Sequence, residues 1–317
     1  MTPGRTLLTH AARSWWVRLL LSAAILAYLA ARIDMAAAAS AVIAIDPGYL
    51  AAVLVLVAAD RVVMIWRWVL LLRASRAPIT AAHAARIFLT SSFVGSFLPA
   101  GVGGDAARAY GLSRVTAAGD EAVASVVVDR LLGILSLITM SVVGLIAWTP
   151  ASGLDWRAGL AVGFVAATCL GAFWADRVVA LLLPNPLASG VGGYLSKIGE
   201  AVSRYRGHGS VLAQVMAWSV VVQLLRITQA YLLGLGLGLA VPFRYYLLFM
   251  PIGLLMLLLP ISVSGFGLPQ GVIVWLLRPT GVADEQSFAL STLIVLTGLA
   301  GNLPGLLLWL RKRREIL

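Results

Sequence analysis

Cysteine and charged residues are both scarce in this sequence. The chain has one cysteine, Cys169, among 317 residues, which excludes an intrachain disulfide and a cysteine-based metal site. Only 12% of its residues are charged, against about a quarter in soluble globular domains, so an ordinary soluble protein is also excluded. Its three histidines lie far apart, and it has no nucleophile elbow, no metal-binding His/Glu spacing and no phosphate-binding loop. These absences predict a protein that is not an enzyme and that holds no metal and no cofactor.

Apolar residues are abundant instead. They make up 61% of the chain, and the mean hydropathy is +0.95. A run of about 20 apolar residues suffices to cross a bilayer as a helix. Six runs reach about that length: 15–32, 49–72, 122–148, 160–183, 211–239 and 288–310. The sequence therefore predicts an all-α polytopic membrane protein, with residues 1–317 forming one integral membrane domain and no soluble domain. Small residues at 36–39 leave a cleaved signal peptide as the alternative for the first run.

Two further apolar stretches, 88–98 and 245–259, are too short to cross and end at Pro99 and Pro260. A segment rich in glycine or serine follows each proline. Unpaired backbone groups at membrane depth cannot face lipid, so such segments line a protein interior or a watered cleft. We therefore predict two re-entrant hairpins. The predicted hairpin and cleft residues are Pro99, Gly101, Gly103, Gly104, Pro260, Ser262, Ser264, Gly265, Gly267 and Gln270.

The distribution of basic residues predicts the orientation. With both termini in the cytoplasm, sixteen of the 24 Lys and Arg residues fall on the inner side and four on the outer side. This asymmetry accounts for the net charge of +11 without nucleic acid as a partner. It also makes the spans bearing Arg67 and Arg226 run in opposite directions. Since a proline-broken hairpin follows each, the sequence indicates an inverted repeat, with halves at about 1–148 and 157–317.

Charged and polar residues within or beside the spans are the candidate substrate-binding residues, because charge inside a membrane is costly and usually functional. A cluster with spare arginine donors could hold a phosphate through two parallel hydrogen bonds, which suits an anionic lipid headgroup. A structural ion-pair cluster of Asp105, Arg108, Asp129 and Arg130 is a compatible alternative. The candidate substrate-binding residues are Asp105, Arg108, Asp129, Arg130, Arg226, Gln223 and Arg61.

The positions of Arg226 and Arg67 within their spans lead to different expectations. Arg226 lies about midway along its span, so we expect it either to contact substrate or a counter-charge, or to pair with Asp60 or Asp129. Arg67 lies near the cytoplasmic end of its span, where a long side chain can reach the headgroups, and it is the weakest functional candidate.

Two motifs carry a resemblance to a known family: PAGVGGDAAR at 99–108 and ASVVVDR at 124–130. They resemble the lysylphosphatidylglycerol synthase transmembrane-region family, whose members are flippase-like and related to the flippase half of the bacterial multiple peptide resistance factor. The segments RWVLLL at 67–72 and PISVSGFG at 260–267 are similar to that family as well. Where the family commonly has Arg-Glu, this chain has Pro269-Gln270, so a charge expected there is missing. The resemblance covers essentially the whole chain, without the soluble aminoacyl-transfer domain of bifunctional members, and so implies transport rather than lysine transfer.

The sequence thus predicts a translocase of lipids or lipid-linked intermediates in the bacterial inner membrane. Its expected partners are membrane lipids, either anionic phospholipid or a polyprenyl or glycolipid, and an oligomer is left open. One alternative is an accessory subunit of envelope-lipid or polysaccharide synthesis that transports nothing. A membrane transferase acting on lipid phosphate is a further alternative, with Asp105 and Asp129 as base and metal ligand.

Overall fold

The computed structural model describes residue 23 and residues 25–75, 77–98, 103–116, 119–148, 203–256 and 267–314. All regular secondary structure in these ranges is helical. The predicted span at 160–183 lies outside them, as do the hairpin residues Pro99, Gly101, Pro260, Ser262, Ser264 and Gly265. The helices are α1 Ile25–Arg32, α2 Met35–Ile43, α3 Pro47–Ala74, α4 Ala81–Gly95, α5 Gly103–Ser113, α6 Gly119–Trp148, α7 Gly209–Gly236, α8 Phe243–Met256, α9 Leu268–Leu277, α10 Asp284–Ala300 and α11 Leu303–Arg314.

Four of the predicted spans are confirmed by helices long and apolar enough to cross a membrane. These are Pro47–Ala74, Glu121–Trp148, Gly209–Gly236 and Asp284–Arg311, each 28 residues long. At 1.5 Å per residue, each covers about 42 Å, which exceeds the hydrocarbon thickness of about 30 Å. The protein is therefore an all-α polytopic membrane protein, as its composition predicts.

The first predicted span, 15–32, is described only from residue 23 onward, and it continues into a second helix after a sharp bend. Helices α1 and α2 meet at an angle of 92°. Asp34 stands at the bend, and its carboxylate accepts hydrogen bonds of 2.9 and 3.0 Å from the backbone N–H groups of Ala36 and Ala37. This N-cap satisfies donors that the start of α2 would otherwise leave unpaired, so the sequence favours a new helix there.

Helices α3 and α7 form the central antiparallel pair. The backbone N–H of Asp46, at the start of α3, donates to the carbonyl of Gly236 at the end of α7. At the other end, the hydroxyl of Tyr205 donates to the carbonyl of Leu71 over 3.3 Å, and burial raises the pKa of Tyr205 to about 12, which keeps this donor protonated. The opposite directions predicted for the spans bearing Arg67 and Arg226 are confirmed.

The two short apolar helices, α4 and α8, each pack against a membrane span at a glycine. A Cβ on Gly305 of α11 would collide with the carbonyl of Leu89 in α4, and a Cβ on Gly144 of α6 would collide with the carbonyl of Leu247 in α8. Such small-residue contacts allow close helix approach where no hydrophobic effect drives association. Both short helices are thereby held inside the helical bundle.

The last span breaks at Gly301 and Asn302, between α10 and α11. Pro304 causes the break, because proline lacks a backbone N–H and its ring clashes with the carbonyl four residues earlier. Asn302 therefore lies in the turn between the two helices. Its side-chain amide donates to the hydroxyl of Ser96, just beyond α4, over 2.8 Å. The break therefore connects the last span to the first hairpin.

Candidate functional site

A cavity of about 400 Å³ lies among α3, the α4–α5 hairpin, α6, α7 and the break in the last span. We call it the charged cavity, because charged side chains from four helices line it. Their backbone positions lie within helices of membrane-spanning length or in the hairpin between two of them. The charged residues that line it are Arg61, Arg67, Asp105, Arg108, Asp129, Arg130 and Arg226.

Five of these residues form the first charge cluster, in which positive and negative groups alternate. Asp129 accepts from Arg67 at 2.8 Å and from Arg108 at 3.0 Å. Asp105 in turn accepts from Arg108 and from Arg130, each at 3.0 Å. The predicted ion-pair cluster of Asp105, Arg108, Asp129 and Arg130 is confirmed, and Arg67 joins it. The cluster begins and ends with an arginine, so it holds three arginines and two carboxylates.

The hairpin glycines allow α4 and α5 to pack closely. A Cβ on Gly95 of α4 would lie 2.6 Å from the Cα of Gly104, and one on Gly103 would collide with the side chain of Leu98. Only residues without a Cβ permit this approach. Asp105 then falls in the first turn of α5, where a carboxylate also interacts favourably with the helix dipole. The sequence motif thus works by bringing two backbones together.

Arg108 is held by rings as well as by carboxylates. Its guanidinium carbon lies 5.2 Å from the centre of the Trp68 ring and 5.3 Å from that of Phe88, which is cation–π distance. The residue is 5% exposed. The indole N–H of Trp68 donates to the hydroxyl of Ser125, which fixes the ring. These contacts orient the guanidinium of Arg108, with its two Nη atoms directed at Asp129 and Asp105.

The interpretation of Arg67 as a side chain that reaches the headgroups is wrong. Arg67 is 4% exposed, and besides Asp129 it donates to the hydroxyl of Ser219 in α7 over 2.9 Å. The physical reason is that α7 runs alongside α3, while Tyr205 covers the end of α3 at Leu71. Arg67 is enclosed by protein and joins three helices.

Arg226, Asp60 and Arg61 form the second charge cluster. The Nε of Arg226 donates to Asp60 over 3.1 Å, so Arg226 has one of its two expected structural partners while it also lines the charged cavity. The Nε of Arg61 lies 3.9 Å from the other oxygen of Asp60, and its Nη2 donates to the carbonyl of Gly298. Both arginines also approach the sulfur of Met64. The cluster holds two arginines and one carboxylate.

Several polar atoms around these clusters are buried and have no hydrogen-bond partner among the described residues. They include the Nε of Arg61, the Nε of Arg108, the Oε1 of Gln223 and the Oδ1 of Asn302. Gln223 donates to the hydroxyl of Ser136 through its other amide atom. A buried polar atom without a partner is costly, so the hydrogen bonding around the two clusters is incomplete among the described residues.

A second cavity of about 250 Å³ adjoins the first and shares Arg61, Arg226 and Asn302 with it. Sequence reasoning identified the two arginines but missed Met64, Ser96 and Asn302, since no motif surrounds them.

Gln270, a predicted cleft residue, lies apart from the charged cavity. It is buried at the start of α9, where its side chain accepts from the backbone N–H of Gly267 over 2.7 Å. The φ of +101° at Gly267 explains why glycine stands there.

The described residues contain no group of three or more His, Cys, Asp or Glu side chains that could hold a metal ion.

Comparison with known proteins identifies one family. The family model described as Lysylphosphatidylglycerol synthase TM region matches residues 15–305, a range that includes every residue lining the two cavities. No curated protein matches the chain.

Proposed function

The chain belongs to the Lysylphosphatidylglycerol synthase TM region family, and from that premise we propose that it is a translocase of lipids or lipid-linked intermediates in the bacterial inner membrane. In this proposal an anionic headgroup enters the charged cavity while the acyl chains stay in the bilayer. The arginines of the two charge clusters hold the headgroup. The family membership is in keeping with a lipid-related function, and the step to translocation rests on the cavity.

The observation that carries the proposal is the excess of arginine over carboxylate at membrane depth. Five arginines line the charged cavity, against three aspartates in the two clusters. A purely structural network would be expected to balance its charges, because an uncompensated buried charge is expensive. Arginine also has five donors in a planar fork, which suits phosphate oxygens. An anionic group therefore complements this cavity.

An inverted repeat is part of the proposal, and contacts between the halves support it. Arg67 and Arg226 are 159 residues apart, as are Asp60 and Ser219. Arg67 donates to Ser219, while Arg226 donates to Asp60, so each arginine contacts the position equivalent to the other's partner. Such reciprocity is what a two-fold axis between α3 and α7 requires.

Two glycine–leucine contacts between helices also relate equivalent positions of the two halves reciprocally. Gly144 and Gly305 are 161 residues apart, and Leu89 and Leu247 are 158 residues apart. Each glycine contacts the leucine of the opposite half. Folds built from inverted repeats commonly carry a midplane site with alternating access to the two faces. This supports a cavity that opens first to one leaflet and then to the other.

Purified protein in liposomes tests the proposal. Fluorescent phosphatidylglycerol and phosphatidylcholine are placed in the vesicles, and a membrane-impermeant quencher reports how fast each reaches the outer leaflet. We expect the wild type to move the anionic lipid faster, and Arg226→Gln to slow it at least tenfold. Arg278→Gln is the matched control, because Arg278 is an exposed arginine paired with Asp284 outside the cavity. Equal rates with and without protein for every lipid would overturn the proposal.

The same experiment separates the second candidate function, a membrane accessory subunit without transport of its own. Such a subunit would bind lipid or a partner enzyme but would leave the transbilayer rates unchanged. Two topological statements also belong to the proposal: both termini lie in the cytoplasm, and the membrane is the inner one. The excess of basic residues in the segments assigned to the cytoplasm supports this orientation.

A further inference from the structure

The excess positive charge is divided equally between the two clusters. The first cluster has three arginines for two carboxylates, and the second has two arginines for one. Arginine stays protonated in proteins, so neither cluster can lose its excess by releasing a proton. The described wall of the charged cavity therefore carries two uncompensated positive charges rather than one.

Three of the arginines that line the cavity have partly exposed side chains, one in the first cluster and two in the second. The side chain of Arg130 is 33% exposed, that of Arg226 is 26% exposed and that of Arg61 is 18% exposed. By contrast, the side chains of Arg67 and Arg108 are 5% and 6% exposed. Asp129 and Ser219 enclose Arg67, whereas two carboxylates and two rings enclose Arg108. The excess charge of each cluster is thus available to a ligand, one from the hairpin side and one from the α3–α7 side.

Both clusters line the same cavity. Arg61 and Arg67 lie six residues apart on α3, so their backbone positions are about 9 Å apart along that helix. Met64 stands between them and contacts both arginines of the second cluster. A ligand with one negative charge would balance one cluster and leave the other uncompensated. A ligand with two negative charges would balance both.

We infer that the charged cavity selects a headgroup with two negative charges, such as a phosphomonoester or a diphosphate, over a phosphodiester with one. The inference rests on the proposed function and narrows its substrate class. A phosphate group with two negative charges could belong to a lipid phosphomonoester or be free in solution as inorganic phosphate. The shared chemistry is the doubly charged phosphate group, and the experiment distinguishes the two sources.

Binding to the purified full-length protein in detergent tests this directly. The probes are phosphatidic acid and phosphatidylglycerol with identical short acyl chains, and inorganic phosphate serves as competitor. At pH 8 we expect phosphatidic acid to bind at least about tenfold tighter, which corresponds to about 1.4 kcal/mol. The second ionisation of a phosphomonoester lies near pH 6, so at pH 5 only about a tenth of it is doubly charged. The preference should therefore nearly vanish at pH 5.

Variants distinguish the charge count from a particular contact. Arg61→Gln reduces the excess from two charges to one, and it should remove most of the preference for phosphatidic acid. Asp60→Asn combined with Arg61→Gln keeps the excess at two, and it should retain the preference. Arg114→Gln removes an exposed arginine that does not line the cavity and should change neither affinity.

The outcomes separate this inference from the proposed function. Equal binding of the two lipids by the wild type at pH 8 would refute the preference for two charges while leaving translocation intact. Failure to bind or move any anionic lipid would instead refute the proposed function. If the double variant lost the preference for phosphatidic acid as fully as Arg61→Gln, the preference would come from a specific contact of Arg61. The inference from the number of charges would then be wrong. Competition by inorganic phosphate as strong as that of phosphatidic acid would support the doubly charged group and show that acyl chains add no affinity.

Discussion

Asp129 is the residue whose loss should cost the protein most stability. It is 2% exposed and is the shared acceptor of Arg67 and Arg108. Asp129→Asn keeps the shape of the side chain but removes its charge. Two buried guanidinium groups then lose their carboxylate, and the first cluster's excess rises from one positive charge to two.

The magnitude follows from what breaking a buried ion pair costs, about 3–5 kcal/mol when one partner is removed. Unfolding entropy of about 2.1 cal/mol/K per residue gives about 670 cal/mol/K for a chain of 317 residues. Each kcal/mol then lowers Tm by about 1.5 °C, so we expect a decrease of about 5–8 °C. Arg108→Gln added to Asp129→Asn returns the excess to one charge and should recover at least half of that loss.

These decreases in Tm are measured by thermal unfolding of the purified variants, with size-exclusion chromatography or intrinsic fluorescence as the readout. Asp284→Asn is the matched control, since it makes the same chemical change in an ion pair with Arg278, whose side chain is 57% exposed. An exposed pair contributes about 0–1 kcal/mol. A Tm for Asp129→Asn within about 1 °C of that of the control would refute the argument from an uncompensated buried charge.

Three further expectations follow from the same structure. Gly144→Ala and Gly305→Ala should each destabilise the protein by about 1–3 kcal/mol, because the added Cβ overlaps a neighbouring backbone carbonyl. Gly298→Ala should not, because a Cβ at Gly298 would meet open space among the described residues. Chemical denaturation compares the three variants. Arg108→Lys should fold yet translocate lipid at least tenfold more slowly in liposomes, because a point charge cannot hold Asp105 and Asp129 together as a planar fork does and Asp105 in turn positions Arg130. Wild-type rates would exclude a role for the fork. A reporter active only in the periplasm should be inactive when fused after Leu317, and an active fusion would reverse the proposed orientation.

The membrane spans could be predicted from sequence because hydrophobic length is a local property. The predicted span 122–148 starts three residues after the helix Gly119–Trp148 and ends at the same residue. The predicted span 211–239 starts two residues after the helix Gly209–Gly236 and ends three residues beyond it. The break in the last span was missed, although Pro304 stands just after it. Within a long apolar run, one proline near a helix end does not outweigh the hydropathy.

The candidate site could be predicted in part. A charged residue inside an apolar run is conspicuous, which is why Asp105, Arg108 and Asp129 could be identified as a cluster. Arg67 was misjudged because its burial depends on α7, a helix that lies about 150 residues away in sequence. Asn302 was missed for the same reason, since its partner Ser96 is 206 residues away and no local pattern connects them.

The most direct test of the central claim is the transbilayer movement of lipid by the purified protein in liposomes, with wild type compared to a variant that removes both accessible cluster ends, Arg130→Gln with Arg226→Gln. Both proteins are first shown to be folded and inserted in equal amounts. We expect the wild type to move phosphatidylglycerol faster than phosphatidylcholine, and the variant to lose that movement while its Tm stays close to that of the wild type. A folded variant that moves phosphatidylglycerol at the wild-type rate would contradict the claim that the charged cavity holds the headgroup.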